Sequence, residues 1–311
     1  MFDMAQAPTM TKTALCTIST RSHIFKSKVL LGSAREHTAA DLFCLLTDSD
    51  ELPDPICGET YHTLSVLTTS TAQAVKKKYT GNELRWACKP LYMLYLFEAG
   101  YERVIYVDND ICFFSPADFL FDALNTAAVL LTPHHYPTDP EKDQHWLEAN
   151  YRVGLYNAGF IGAGTRGKAA LEWWAKCCLY TVRKSAWRGL FDDQKYLDLM
   201  PVEFDGVEVL RHKGCNVAGW NVDVSRRVPD GTGKVTIDGH WPIVFIHFAA
   251  LTFRNIQAGK DPYLAAYKQV YVERLKSVNP IYSEKSETQR SVSDYLLYLR
   301  HIRWRLIRMV E

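Results

Sequence analysis

The feature that most constrains the fold of this chain is an apolar run at 102–114, ERVIYVDNDICFF, which two aspartates interrupt. The apolar residues on both sides of the interruption predict a strand that is forced into the core. Because side chains alternate along a strand, we expect Asp108 and Asp110 to point to one side and Asn109 to the other. The pattern therefore predicts two carboxylates at the end of a buried strand, where unpaired negative charge is costly.

Short apolar segments alternate with helical segments through the first third of the chain. Strands are predicted at 12–20, 41–48 and 62–69, and a helix is predicted at 84–99, ending at Gly100 as a C-cap residue. This alternation predicts an α/β fold with a largely parallel central sheet. The chain has 311 residues, which is long enough for one large domain.

Charge and cysteine content exclude several classes of protein. The net charge is +1, from 36 Lys and Arg against 35 Asp and Glu, which argues against a nucleic-acid-binding surface. The eight cysteines include no C-x-x-C pair, so neither a zinc knuckle nor a disulfide framework is expected. The sequence shows no signal peptide and no apolar stretch of about 18 residues. These observations favour a cytoplasmic protein.

The aspartate pair predicts a metal site. Two neighbouring carboxylates raise each other's pKa unless a cation lies between them, and a hard divalent ion, Mn²⁺ or Mg²⁺, meets that need and also binds a diphosphate. Open α/β sheets bind ligands at the carboxyl ends of their strands. A second pair, Asp48 and Asp50, precedes a proline-rich turn and is expected to be a solvated turn instead.

Five short motifs in a fixed order resemble a known family. They are Lys89-Pro90, YVDND, YNAGF at 156–160, LFDDQ at 190–194 and IHF at 246–248. Over roughly 12–255 the chain resembles nucleotide-sugar glycosyltransferases of the GT-A fold. It is most similar to the family 8-like, retaining galactosyl- and glucosyltransferases that include bacterial lipooligosaccharide enzymes. The resemblance implies a single Rossmann-like α/β domain that binds a nucleotide-diphosphate sugar, expected to be a UDP-sugar, through a divalent metal.

The resemblance assigns roles to individual residues. Asp108 and Asp110 match the metal-binding pair, and His247 matches the third ligand, the alternative being a core histidine. The donor-binding set is Thr17, Ser19, Arg21, Lys89, Asp108, Asn109 and Asp110. Within it, Lys89 corresponds to the basic residue that reaches the diphosphate or the sugar, the alternative being a surface lysine before a helix-breaking proline. The segment from Thr17 to Arg21 corresponds to the nucleoside pocket but departs from the usual acidic or Asn-containing pattern, so the base stays open.

The reaction side of the site is assigned in the same way. Asn157, Ala158 and Gly159 match residues beside the donor sugar, and small residues there let a ligand approach the backbone. Asp192 is expected to contact the substrate, with the N-cap of a helix as the alternative. Asp193 and Gln194 match the catalytic residues nearest the anomeric carbon. The resemblance favours retention, whereas Asp193 as a general base would give an inverting enzyme.

Two further segments belong to the acceptor side. The run at 214–221 resembles this enzyme class, and Asn216, Trp220 and Asn221 are candidates to face a saccharide acceptor. The alternative is a buried loop held by asparagine side chains. Residues 132–146 are polar and proline-rich and predict a mobile surface loop over the site, so His134 and His135 are interpreted as loop residues.

The end of the chain is predicted to be a separate element. We place the glycosyltransferase domain at 1–282 and a tether with a basic amphipathic helix at 283–311. The last 22 residues carry five Arg and two acids, a charge of +3 that leaves −2 for the rest. A basic amphipathic helix with a tryptophan is typical of a peripheral membrane element, here on the inner face of the membrane, and suits a lipid-linked saccharide acceptor. The alternative is a helix packed on the domain or on a second subunit.

Three functional classes are compared. A metal-dependent hexosyltransferase in cell-surface glycan assembly accounts for all five motifs. A metal-dependent phosphohydrolase or nucleotidyltransferase also uses paired acids, but such sites usually recruit more carboxylates. A non-catalytic sugar-nucleotide-binding domain is the third class, and turnover separates it from the first.

Overall fold

A computed structural model describes residues 11–288 of the chain. Its strands are β1 (Thr13–Ser19), β2 (Asp41–Leu46), β3 (Thr60–Thr63), β4 (Arg103–Val107), β5 (Ile111–Phe113), β6 (Val129–Pro133), β7 (Tyr156–Gly164), β8 (Val207–Val209), β9 (Arg227–Pro229), β10 (Val235–Ile237), β11 (Trp241–Pro242) and β12 (Phe245–His247). Its α-helices are α1 (Ile24–Arg35), α2 (Ser70–Lys78), α3 (Gly81–Glu98), α4 (Asp118–Ala123), α5 (Gln144–Arg152), α6 (Lys168–Tyr180), α7 (Met200–Glu203), α8 (Ala250–Gln257), α9 (Ala265–Val278) and α10 (Lys285–Thr288).

One seven-stranded sheet organises the domain, with the strand order β3-β2-β1-β4-β7-β6-β8. The pairs β1–β2, β2–β3, β1–β4 and β6–β8 are parallel, whereas β7 is antiparallel to both of its neighbours. The strands at the centre are buried on both faces, which is why β1 and β4 read as continuous apolar runs. The predicted α/β class with a mostly parallel central sheet is therefore confirmed.

Helices cover both faces of this sheet. Helices α2, α3 and α6 pack on one face around the fully buried Tyr92 and Trp174. Helices α1 and α4 pack on the other face, with β5 and β12 forming a small antiparallel pair beside them. Helix α3 runs through Pro90 and ends before Gly100, which has a φ of +92° and donates its N–H to Phe97 O. The predicted helix is confirmed; its C-cap is Ala99, and Gly100 follows in the left-handed conformation that commonly ends a helix.

The chain after Tyr282 partly packs on the domain. Helix α10 lies against the body: Glu287 pairs with Lys26 at 2.7 Å, and Glu284 pairs with Lys268 at 2.8 Å. The prediction of an exposed tether is therefore wrong for its first residues. The predicted amphipathic helix at 290–311 lies outside the described residues. Within 11–288, no helix combines the length and the apolar character that crossing a membrane requires.

Candidate metal centre

The two aspartates lie on a turn that leaves the central sheet. Strand β4 ends before Asp108, and Ile111 N–H closes the turn on Asp108 O at 3.1 Å before β5 begins. The backbone is fixed on both sides, since Asp108 N–H donates to Gly159 O at 2.9 Å and Asp110 O accepts from Phe248 N–H at 2.8 Å. The prediction that a continuous strand aligns the two carboxylates is wrong, because the turn brings them together instead.

Asp108, Asp110 and His247 form a compact cluster at the carboxyl end of β4. One ligand atom from each residue lies within 4.8 Å of the others. His247 Nε2 is 3.0 Å from Asp110 Oδ1, and His247 Nδ1 is 3.3 Å from Asn216 Oδ1, which fixes the orientation of the imidazole ring. His247 reaches this position because β12 pairs with β5. Two carboxylates and one imidazole are a donor set that suits Mn²⁺ and also accepts Mg²⁺.

The electrostatics of the cluster reflect opposite charges at close range. Burial by itself raises the pKa of Asp110, but the neighbouring His247 outweighs it and holds that pKa well below its usual range. Burial likewise lowers the pKa of His247, and Asp110 and Asp108 more than reverse this. The imidazole and the two carboxylates therefore favour each other's charged forms, which is the effect that a divalent cation would have on the carboxylates.

Gly159 leaves the space that the cluster itself fills. A Cβ atom at this position would lie 2.5 Å from Asn157 Oδ1, 2.6 Å from His247 Cε1 and 3.1 Å from Asp108 Oδ2. The small residue was expected to let a ligand approach the backbone. In the structure its first effect is to admit the cluster's own side chains.

We expect Gly159→Ala to weaken divalent-metal binding by at least about tenfold, since the added methyl group displaces His247 or Asp108, and outer-sphere disruption alone costs about 10–100-fold. Overpacking should also destabilise the fold by about 1–3 kcal/mol. Calorimetric titration with Mn²⁺ and urea unfolding measure the two effects. Gly32→Ala is the matched control, because a Cβ there meets nothing within 4 Å. Unchanged Mn²⁺ affinity in Gly159→Ala would mean that these three side chains do not form the metal site.

Lys89 is a buried cation directly behind the cluster, and it is 3% exposed. Its Nζ lies 3.2 Å from Asp108 Oδ1, 3.1 Å from Asp193 Oδ2 and 3.0 Å from Ala158 O. Burial lowers the pKa of Lys89, but the carboxylates of Asp108 and Asp193 raise it overall. Tyr106 completes the arrangement, since its hydroxyl donates to Asp108 Oδ1 at 2.7 Å. The interpretation of Lys89 as a surface lysine is thus wrong.

Asp193 is the most deeply buried acid of the site, at 1% exposure. Burial is the main cause that raises its pKa to about 7, with Lys89 opposing and Asp192 and Asp108 adding to the rise. The backbone of Asp193 is held by the core, because Trp174 Nε1 donates to its carbonyl oxygen at 2.8 Å. Packing of α6 therefore sets the position of this carboxylate.

The residues on either side of Asp193 are arranged differently from the prediction. The chain continues as a 3₁₀ helix at Lys195–Leu199 whose N-cap is Gln194, so the alternative interpretation of Asp192 as a helix cap is wrong. Asp192 instead has a φ of +41° and accepts the Gln194 N–H at 3.1 Å through its own side chain. Its other oxygen lies 3.6 Å from Lys184 Nζ. Gln194 Nε2 donates to Val153 O at 3.3 Å.

The amides around the cluster are mostly engaged with the protein. Asn157 Oδ1 accepts from Gly159 N–H at 3.0 Å, and its Nδ2 is 3.1 Å from His134 Nε2. Asn216, with a φ of +61°, contacts His247 and donates to Pro133 O at 3.3 Å. Both side chains therefore support the cluster.

The predicted acceptor residues Trp220 and Asn221 lie on the same side of the cluster. The Trp220 ring is 5.1 Å from the His247 ring in an edge-on arrangement, and its Nε1 is buried without a hydrogen-bond partner. Asn221 Nδ2 donates to Asn216 O at 3.0 Å and to His134 O at 3.3 Å. The contacts of Asn221 are those of the alternative interpretation, a buried loop held by asparagine side chains.

The residues predicted for the nucleoside pocket divide into two groups. Ser19 reaches the cluster, since its hydroxyl lies 3.4 Å from Asn109 Nδ2. Thr17 is fully buried in β1, and its hydroxyl has no hydrogen-bond partner. The structure therefore brings Ser19 and Asn109 together beside the two aspartates.

Arg21 lies farther out, with an exposed side chain that pairs with Glu51. Its backbone N–H donates to Asp48 Oδ1 at 2.8 Å. The second D-x-D pair thus holds a turn, and Asp48 and Asp50 are absent from the metal-competent clusters found among residues 11–288.

His134 is a site residue that the sequence interpretation missed. Instead of a mobile surface loop, 132–146 contains the end of β6 and the start of α5, and His134 is 2% exposed. It stacks on Tyr136 at 4.5 Å and meets the Trp220 ring edge-on at 5.8 Å. Burial lowers its pKa to about 3, so it is a neutral partner for Asn157. No metal-like spacing marks this residue in the sequence.

Arg227 is a second missed residue, and it holds the loop that carries Trp220. Its guanidinium pairs with Asp261 at 3.1 Å, both side chains being 2% exposed. The same group donates to Ala218 O at 2.9 Å and to Asn221 Oδ1 at 3.1 Å. The sequence interpretation also missed Tyr106. Its position on β4, two residues before Asp108, could have placed its side chain on the same side as that carboxylate. Arg227 is a lone arginine in a turn-rich region, and no sequence pattern marks it.

These observations define a mixed α/β domain with a carboxylate–carboxylate–imidazole cluster at the carboxyl end of a central strand, in contact with a buried lysine–aspartate pair. The chain is 30% identical over 247 residues to YfnD of Bacillus subtilis strain 168, covering 76% of this chain and 77% of that protein. It therefore belongs to the same protein family as YfnD. YfnF of the same organism is 24% identical over 258 residues, covering 80% and 84% of the two chains. Both relatives are called uncharacterized proteins, and no family model matches the chain.

Proposed function

We propose that this protein is a metal-dependent glycosyltransferase that moves a hexose from a nucleotide-diphosphate sugar, in the first instance a UDP-sugar, to a saccharide acceptor. The observation that carries the proposal is the cluster of Asp108, Asp110 and His247 within 4.8 Å at the carboxyl end of β4. That edge is where open α/β sheets bind ligands. The resemblance of five ordered motifs to GT-A glycosyltransferases supports the same assignment.

The three residues of the cluster would hold the cation in this reaction. A bound Mn²⁺ or Mg²⁺ neutralises the diphosphate and makes it a better leaving group. Asn216 keeps the His247 ring oriented, and Tyr106 and Lys89 hold Asp108. The candidate ligand side chains are thus already positioned before a cation binds, which lowers the free-energy cost of binding it.

Lys89 and Asp193 are adjacent to the cluster, where they would meet the sugar end of the donor. The lysine is shared between Asp108 and Asp193, so it couples the cation side of the site to the carboxylate side. Asp193 and Gln194 would position the sugar and stabilise the charge that develops at its anomeric carbon. The ion pair with Lys89 at 3.1 Å holds the Asp193 carboxylate on the donor side of the site, which supports retention over inversion.

The donor set also bears on the alternative of a phosphohydrolase or nucleotidyltransferase. Such enzymes often use two metal ions about 3.5–4 Å apart, which needs a larger set of carboxylates. Among the residues that the structure describes, one group of three candidate ligands is found, and one of them is an imidazole. This composition favours a single cation.

A thermal-shift screen tests the proposal. We expect a nucleotide sugar together with Mn²⁺ to raise Tm by several degrees, since a ligand at about a hundredfold excess over Kd stabilises the folded state by about 2.7 kcal/mol. Mn²⁺ alone and each nucleotide sugar alone should give smaller shifts. The donor found in this way is then incubated with the protein, and the release of nucleoside diphosphate is measured.

Two results would contradict the proposal. One is the absence of any metal-dependent shift across uridine, adenosine, guanosine, cytidine and thymidine diphosphate sugars. The other is a rate of orthophosphate release from a nucleoside diphosphate that exceeds the rate of nucleoside diphosphate release from a nucleotide sugar. That result would indicate a phosphohydrolase.

A further inference from the structure

A tight hairpin beside the catalytic segment presents a fully exposed tryptophan. Ser185 and Leu190 exchange backbone hydrogen bonds of 2.8 and 3.0 Å, and a 3₁₀ turn at Ala186–Arg188 with Gly189 at a φ of +64° closes the loop. Trp187 lies at the tip and is 95% exposed. The two hydrogen bonds close the backbone of the hairpin, and the Trp187 side chain at its tip projects into solvent.

The surface around this tip is aromatic and basic. Tyr180 is 61% exposed, and the Arg188 guanidinium lies over its ring at 5.7 Å. Arg183 is exposed as well and lies 3.9 Å from Glu83 of α3, so one acid borders this surface. Lys78 from α2 donates to the carbonyl oxygens of Leu179 and Tyr180 at 2.7 Å each. We call Lys78, Tyr180, Arg183, Trp187 and Arg188 the tryptophan face. Residues 180–190 contain three cations and no acid, although the chain before Arg290 carries a net charge of −2.

We propose that the tryptophan face binds the surface of an anionic membrane. Tryptophan and tyrosine favour the boundary between water and lipid, because each ring is apolar with a polar end. Lysine and arginine at the same surface are attracted to anionic headgroups. An exposed tryptophan flanked by cations combines both properties in a single hairpin.

The position of the hairpin connects this surface to the site. Lys184 at its base lies 3.6 Å from Asp192 and 4.6 Å from the centre of the Phe191 ring, so the hairpin leads directly into the segment that carries Asp193. One consequence of this inference rests on the proposed function: a glycosyltransferase held at a membrane would act on a saccharide acceptor that is linked to a lipid. Membrane binding by the tryptophan face itself requires no catalysis.

Sedimentation with vesicles tests the inference. The full-length chain is mixed with phosphatidylcholine vesicles that either contain or lack phosphatidylglycerol. We expect binding to the anionic vesicles, a loss of about fivefold in affinity for Arg188→Gln, and the same for Arg183→Gln, because each cation near an anionic surface contributes roughly that factor. Trp187→Ala should weaken binding at least as strongly.

Tyr263→Ala is the matched control, since Tyr263 is another exposed aromatic residue, 49% exposed, on the 3₁₀ turn Pro262–Leu264. The segment 289–311 is present in every variant, so its contribution is constant. The inference is overturned if Trp187→Ala binds anionic vesicles as the unchanged chain does. It is also overturned if Trp187→Ala changes the sedimentation mass in solution while leaving vesicle binding intact, which would make the face a contact between two copies. The assay contains no metal or nucleotide, so its failure leaves the result of the nucleotide-sugar screen untouched.

Discussion

Replacing Lys89 by Met is expected to lower the free energy of unfolding by about 3–5 kcal/mol near pH 8, as removal of one partner of a buried charge pair does. The cause is the carboxylate that remains. Asp193 is 1% exposed and Lys89 is its ion-pair partner at 3.1 Å, so the variant leaves a charge in the core without a counter-ion. Urea unfolding at constant ionic strength gives the difference.

The loss should depend on pH in a defined direction. Burial already raises the pKa of Asp193 to about 7 with Lys89 present. Lys89 opposes this rise, so removing Lys89 raises the pKa of Asp193 further. A group whose pKa is higher in the folded state stabilises the fold fully below its unfolded pKa of about 3.9, and this contribution is lost as pH rises through the folded value. The deficit of Lys89→Met should therefore be smallest near about pH 5 and grow towards about pH 8.

The double variant Lys89→Met, Asp193→Asn identifies the cause. Removing the charge from Asp193 should restore a large part of the stability, and the interaction energy in this cycle should exceed about 1 kcal/mol. Lys77→Met, at an exposed position in α2, is the control and should stay within about 0.5 kcal/mol of the unchanged chain. A deficit of Lys89→Met that is constant with pH and survives in the double variant would mean that lost packing, and not the buried charge, causes it.

Local patterns in the sequence were sufficient for the elements and their class. Strands β1 and β2 and helix α3 follow from apolar runs and from Gly100, because each depends on interactions between residues that are close in sequence. The same patterns located Asp108 and Asp110 as metal candidates, because apolar residues on both sides of the pair place two carboxylates at the end of a buried strand. His247 was found through the resemblance, because a single histidine on a three-residue strand carries no local signal.

The parts that could not be predicted depend on contacts between distant segments. The turn at Asp108–Asp110 exists because β5 leaves the central sheet and pairs with β12, a pairing that the sequence of β5 does not encode by itself. The burial of Lys89 follows from the position of α3 against β4 and β7. A proline next to the lysine suggested a helix end, but α3 continues through it. His134 is buried because Tyr136 and Trp220 enclose it, and these residues are brought together only by the complete fold.

Replacing Asp110 by Ala is expected to reduce metal-dependent release of nucleoside diphosphate by about a thousandfold or more. In the proposed reaction a bound cation would contribute several kcal/mol of charge stabilisation in the transition state, and each 1.36 kcal/mol corresponds to about a tenfold change in rate. Asp110 offers one of the three candidate ligand atoms, and it lies 3.0 Å from the imidazole that offers another. Its loss therefore removes a ligand and also releases the orientation of a second one.

The fold should tolerate this replacement. Without Asp110 the imidazole of His247 loses the main carboxylate that raises its pKa, so burial favours its neutral form more strongly and no unpaired carboxylate is left behind. Asp110 O, which accepts from Phe248 N–H at 2.8 Å, belongs to the backbone and is retained. We thus expect the unfolding free energy to change far less than the rate, and calorimetric titration with Mn²⁺ to show weaker binding in the absence of any nucleotide.

Asp50→Ala is the matched control, because it removes the last acid of the other D-x-D pair, at an exposed turn outside the cluster. It should retain the turnover and Mn²⁺ affinity of the unchanged chain. Equal losses in both variants would point to a general effect of negative charge. Unchanged turnover in Asp110→Ala, with the protein still folded, would exclude the metal-dependent reaction proposed for this site. Loss of turnover with unchanged Mn²⁺ affinity would instead place Asp110 beside the substrate and the cation elsewhere.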